Sequence, residues 1–203
     1  MKATRFCLLI SACFALLAAQ TARFEEAKRV GLGYIRAEQY DKAAGRLEEV
    51  WEQDKSDPMV GEYLALAYLN SEDHANHSAN QAQGFEIIRK LASQESRVTF
   101  TVIHSHETMS WLQGRQWNQY CRGRLSISPS RLVFISEKGE KAGEHSFDID
   151  GHQSKTVYVN PKEQRGIFQI KTGESSYLMA TRTASFEEAA LIVDLIRQKV
   201  MSK

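Results

Sequence analysis

The sequence predicts an α+β chain: a helical N-terminal half followed by an antiparallel β unit that one C-terminal helix closes. Three observations lead there. From Phe24 to Leu91 apolar residues recur at helical spacing, and a small-residue and tyrosine pattern repeats within that stretch. After Ser96 the apolar period changes to two, in short runs separated by turn residues. Ser185 then introduces the amphipathic run FEEAALIVDLIRQKV. The boundaries that follow are residues 1–22, 23–95 and 96–203.

Composition bounds the functions open to such a chain. Its 203 residues carry 26 Lys+Arg against 25 Asp+Glu and are 42% hydrophobic, which is ordinary globular usage. A net charge of +1 leaves no electrostatic footprint for a nucleic acid, and none is expected as a partner. Three prolines and 12 glycines leave little room for low-complexity linkers.

Residues 1–22 read as a secretory signal peptide. Lys2 and Arg5 precede the apolar run FCLLISACFALLAA, and small residues follow, with cleavage expected after Ala19 or Ala22. The run is shorter than the roughly 20 apolar residues of a membrane span. The protein is therefore expected to be exported, periplasmic or secreted. Ile10-Ser11-Ala12-Cys13 resembles a bacterial lipobox, so a lipoprotein anchored through Cys13 is the alternative. Removal of residues 1–22 takes Cys7 and Cys13 with it, leaving Cys121 alone and no internal disulfide.

In the helical half, Val30-Gly31-x-x-Tyr34 returns as Leu64-Ala65-x-x-Tyr68, with Ala27 matched by Gly61 and Gly33 by Ala67. Small residues at these points allow helices to approach closely. Tyr40, Ala43, Leu47 and Val50 form the stripe of an intervening helix, and Lys55-Ser56-Asp57-Pro58 ends it and starts the next. Gly84, Ile88 and Leu91 repeat that stripe after the polar insertion SEDHANHSAN.

Gly31, Tyr34, Tyr40, Ala43 and Leu47 resemble a degenerate tetratricopeptide repeat, with Ala27 in place of the signature Trp and Pro58 displaced. The resemblance implies two helical hairpins and a concave face lined by Glu25, Lys28, Leu32, Ile35 and Arg36, then Met59, Glu62, Leu66 and Leu69. Such a face holds a peptide or a partner helix. The alternative is that Leu32, Ile35, Leu66 and Leu69 are core beneath the β unit. Two repeats are few for a free-standing array, so the helices are expected to lean on the C-terminal half or on another copy.

The alternating runs lie at 98–106, 125–128, 131–136, 145–149, 155–159, 166–171 and 175–181. Seven short strands followed by one helix resemble the pleckstrin-homology-like superfold, GRAM-type members included. The phrase Gly123-Arg124-Leu125-Ser126-Ile127, Arg131-Leu132-Val133-Phe134 and Phe147-x-Ile149 carries the resemblance. It implies a seven-stranded antiparallel barrel or sandwich capped by the helix. Some members hold phosphoinositides on basic residues near the first strands, where this chain has Arg115, Arg122 and Arg124, with Lys138 and Lys141 in another loop. Together the two halves look like an exported bacterial repeat protein with a pleckstrin-like domain.

Catalysis finds no support: no phosphate-cradling glycine loop, no G-x-S-x-G and no H-E-x-x-H is present, so no enzyme and no cofactor are expected. Cys121 reads as a small buried residue, with a nucleophile paired to a distant histidine as the alternative. His104 and His106 share a strand face and would ligate metal only if His145 came near. Asp73, His74 and His77 form a second group in the polar insertion. Trp111 and Trp117 lie in the long connection 107–120, which either binds a partner or docks on the helices. The expected function is protein binding through the helical face or this connection, with an unidentified partner or a second copy. Envelope-associated binding of anionic lipid or metal by the β unit is the alternative.

Overall fold

Four helices build the N-terminal half: α1 over 20–36, α2 Tyr40–Trp51, α3 Pro58–Leu69 and α4 His77–Ser93. The computed structural model describes residues 20–105, 120–139, 145–151, 158–161, 166–172 and 175–201. The start of α3 shows how sequence sets these boundaries. Asp57 Oδ1 accepts from the backbone N–H of Met59 at 2.9 Å and of Val60 at 3.1 Å, and Pro58 occupies the first helical position. The helices then approach closely at glycines. A Cβ on Gly31 would lie 2.7 Å from Leu47, and one on Gly61 would lie 2.8 Å from Trp51.

The strands are β1 Val98–Ser105, β2 Tyr120–Ser128, β3 Arg131–Gly139, β4 Phe147–Asp150, β5 Tyr158–Pro161, β6 Ile167–Lys171 and β7 Ser176–Thr181. They form one antiparallel sheet in the order β4-β3-β2-β1-β7-β6-β5. The sheet curls and is closed by α5 Phe186–Ile196. Ser185 caps α5 by accepting from the Glu188 N–H at 3.2 Å, and the helix runs out in a wider π turn over Arg197–Met201.

Alternation divides the sheet into two faces. Val98, Phe100 and Val102 of β1 pair with Ile127, Leu125 and Gly123 of β2, and Phe134 and Phe147 continue the row across β3 and β4. This inner face is fully buried with α5. On the other face β1 carries Thr99 and Thr101, which are also buried, because α3 and α4 pack there. Apart from Ile167, Leu178 and Ala180, which form a small cluster of their own, the buried apolar residues of helices and sheet belong to one continuous cluster, so the helices lean on the sheet.

β2 begins earlier than the apolar run 125–128 indicates. Its first half places small Cys121 and Gly123 inside and Tyr120, Arg122 and Arg124 outside. A bulge between Arg122 and Gly123 brings Gly123 so near the Ile135 carbonyl that a Cβ there would overlap its oxygen. No described helix is long and apolar enough to cross a membrane.

Candidate functional site

The seam where the helices meet the sheet holds several of the residues that sequence reasoning singled out. Glu62 of α3 is only 5% exposed. Its carboxylate accepts from Arg97 Nε at 2.9 Å, from Arg97 Nη2 at 2.9 Å and from the Thr99 hydroxyl, which also lies 2.9 Å from Ser126 Oγ. Ile35, Leu66 and Leu69 are buried apolar core. These four residues were expected on an open partner face, with core beneath the β unit as the alternative for Ile35, Leu66 and Leu69; their burial goes with that alternative, and Glu62 is buried with them. Strand β1 occupies the α3 part of the face, because Thr99 satisfies the one carboxylate on it and the apolar residues close around it.

What stays accessible lies at the start of α3 and along α1. Lys28 Nζ bonds Asp57 Oδ2 at 2.6 Å, tying the α1 turn that precedes Leu32 to the cap of α3. Leu32 is half-buried, Glu25 and Arg36 are exposed, and Met59 is 45% exposed.

The basic residues expected to meet anionic lipid serve another purpose. Arg122 Nη2 donates to both oxygens of Glu38, at 2.8 and 2.9 Å, and Lys138 Nζ reaches the same carboxylate at 2.6 Å. Arg124 Nε pairs with Glu137 Oε1 at 3.0 Å. Glu38 sits in the α1–α2 turn with φ +57°, a left-handed conformation that favours glycine. Burial raises its carboxyl pKa, but the Lys138 hydrogen bond and the Arg122 charge outweigh that and leave it below the ordinary range. Two cations thus fasten a strained helical turn to the sheet. Arg122 and Arg124, expected as anion-binding groups, stand in intramolecular ion pairs.

A third junction was missed by sequence reasoning. Arg182, just after β7, donates from Nη1 to Asn70 Oδ1 at 3.3 Å and from Nη2 to Glu72 Oε1 at 3.0 Å, and it stacks 5.1 Å over the Tyr40 ring. A cavity of about 260 Å³ opens beside it, lined by residues that include Leu69, Ser71, His74, His77 and Thr183. The nearby Asp73 turns into its own loop, its carboxylate accepting from the N–H groups of Ala75 and Asn76 and from Asn76 Nδ2.

Inside the curled sheet His104 stands directly opposite Cys121, with Nδ1 3.7 Å from Sγ. The rings of Phe134, His145 and Tyr177 surround it at centroid distances of 5.8, 6.0 and 5.8 Å. The structure therefore brings His104 and His145 together, with Cys121 beside them. Among the described residues, however, no group of three His, Cys, Asp or Glu side chains is placed to hold a metal. Cys121 is fully buried and that burial pushes its thiol pKa up, which keeps it protonated and poorly nucleophilic. His106, Arg115, Trp111, Trp117 and Lys141, like residues 1–19 with Cys13, lie outside the described residues.

No protein-family model matches the chain, and no curated relative does. Solved structures similar to it include the N-terminal PH domain of human ARAP2, at TM-score 0.36 and 9% identity, covering 51% of this chain and 78% of that one. The linker-DH/PH domains of p115-RhoGEF align at TM-score 0.37 and 8% identity, covering 79% of this chain and 56% of theirs. Autoinhibited Vav1 aligns at TM-score 0.33 and 11% identity, covering 87% and 43%. The chain thus spans less than two thirds of the latter two.

Proposed function

We propose that this chain is an exported, non-enzymatic interaction module whose tetratricopeptide-like helices capture a peptide or partner protein on the face that its own sheet leaves open. The supporting observation is the Lys28–Asp57 bridge at 2.6 Å, which joins α1, with half-buried Leu32 one turn on, to the start of α3, with exposed Met59. Two apolar side chains and a charged pair, with Glu25 and Arg36 exposed on α1, suit an amphipathic segment. Export rests on Lys2, Arg5 and the apolar run 6–19. The connection 107–120 with Trp111 and Trp117 is the second segment proposed to bind the partner.

The test is affinity capture with the full chain against the double variant Leu32→Glu, Met59→Glu. The expected result is loss of a specific partner by the variant, with an unchanged thermal midpoint, since neither side chain is fully buried. Equal capture by both proteins would remove the helical-face reading. Capture of the chain by itself alone would make the face a self-association surface.

A further inference from the structure

We propose that the cavity beside Arg182 is a binding site for a small organic carboxylate. The site lies at the far end of α3 from Met59 and goes beyond the partner-binding reading.

Its cation is pre-organised. Asn70 Oδ1 and the Asn70 carbonyl hold Nη1 at 3.3 and 3.5 Å, the Tyr40 ring supports the guanidinium plane at 5.1 Å, and the Arg182 backbone N–H donates to the Thr101 carbonyl at 3.3 Å. Asn70 is itself fixed, because its Nδ2 donates to the Leu66 carbonyl at 2.7 Å. An arginine held in this way gives up little freedom on meeting a ligand. Its outward nitrogen, Nη2, already carries a carboxylate, that of Glu72 at 3.0 Å. The Glu72 side chain is 75% exposed, so this pair belongs to the weakest class of ion pair. Glu72 thus marks where a carboxylate sits and is easily displaced by one that brings further contacts.

The cavity supplies those contacts. Of its lining, the Ser71 hydroxyl already donates to Asp41 Oδ1 at 2.6 Å and the Thr183 hydroxyl to Glu188 at 2.5 Å, which leaves the His74 and His77 side chains at the rim to meet a ligand. Besides Glu72 no lining residue carries a negative charge. A volume of about 260 Å³ lies below the usual range for drug-sized ligands, so the occupant is metabolite-sized: a carboxylate at Arg182 with a short hydrocarbon body.

The test is a solution NMR titration of the full chain with hexanoate and benzoate, their neutral amides, and inorganic phosphate. The expected result is saturable shifts confined to residues 69–77 and 182–183 with the two acids only. Glu72→Gln, a surface change, should tighten binding about two- to fivefold by removing the competing carboxylate. Arg182→Gln should weaken it by about tenfold or more. Equal binding of the amides, equal binding of phosphate, shifts elsewhere, or an affinity unchanged by Glu72→Gln would each overturn the assignment. The Glu72 variant decides the matter should Arg182→Gln fail to fold.

Discussion

Replacing Glu188 by glutamine should stabilise the protein, and only above acid pH. Glu188 lies in the first turn of α5, 2% exposed, and accepts from Thr183 Oγ1 at 2.5 Å. Burial pushes its carboxyl pKa up to about 7 from an ordinary 4.5, while the Thr183 hydrogen bond acts in the opposite sense. That gap, at about 1.4 kcal/mol per pH unit, amounts to about 3 kcal/mol. Between those two values the folded chain keeps a proton that the unfolded chain releases. Stability therefore falls as pH rises from about 4.5 to 7, and the full cost persists above that window. Glutamine is neutral, close in shape and able to accept from Thr183, so Glu188→Gln should gain about 2–3 kcal/mol at pH 8. The lower figure allows for losing a negative charge at a helix start. At pH 4 the two proteins should be equal. Urea denaturation at pH 4, 6 and 8 reads this as a shift in midpoint at constant slope. Equal stability at pH 8, or a less stable variant there, would refute the reasoning.

Three further outcomes follow from the seam and the sheet. Gly123→Ala drives a Cβ into the Ile135 carbonyl and should cost at least about 2 kcal/mol, read as a lowered denaturation midpoint. Thr99→Val leaves the buried Glu62 carboxylate short of a donor and should cost about 1–3 kcal/mol by the same assay. Glu38→Gln should cost about 1 kcal/mol in low salt and almost nothing in about 1 M salt, since its partners Arg122 and Lys138 are partly exposed. A salt-independent difference between the melting curves would contradict the last of these.

Local signals in the sequence were read correctly where their physics is local. Asp57-Pro58 marked the start of α3 and Ser185 that of α5, because a cap and its donors lie within three residues. Period-two runs located β1, β3, β6 and β7, although of these burial alternates along β3 alone; β1 is buried on both faces because α3 and α4 cover the side that carries Thr99 and Thr101. The first half of β2 escaped notice since its inward residues, Cys121 and Gly123, are small and its outward ones charged. Charge was visible but not its partner. Arg122 reads as a free cation until Glu38, 84 residues earlier, is found beside it. Arg182 sits in no motif at all, and its partners Asn70 and Glu72 are 112 and 110 residues away. In the sequence Glu188 is one of two acids in the first turn of α5, a position that by itself favours the helix dipole. Its burial depends on the loop that brings Thr183 over it.

The helical-face account is tested most directly by placing a photo-crosslinking residue, in turn, at positions 32, 59, 66 and 69 of the protein in its own cells. The account predicts adducts to another protein at 32 and 59, and at 66 and 69 only links within the chain, because Leu66 and Leu69 are buried. Adducts to a partner at 66 and 69, or none at 32 and 59, would contradict it.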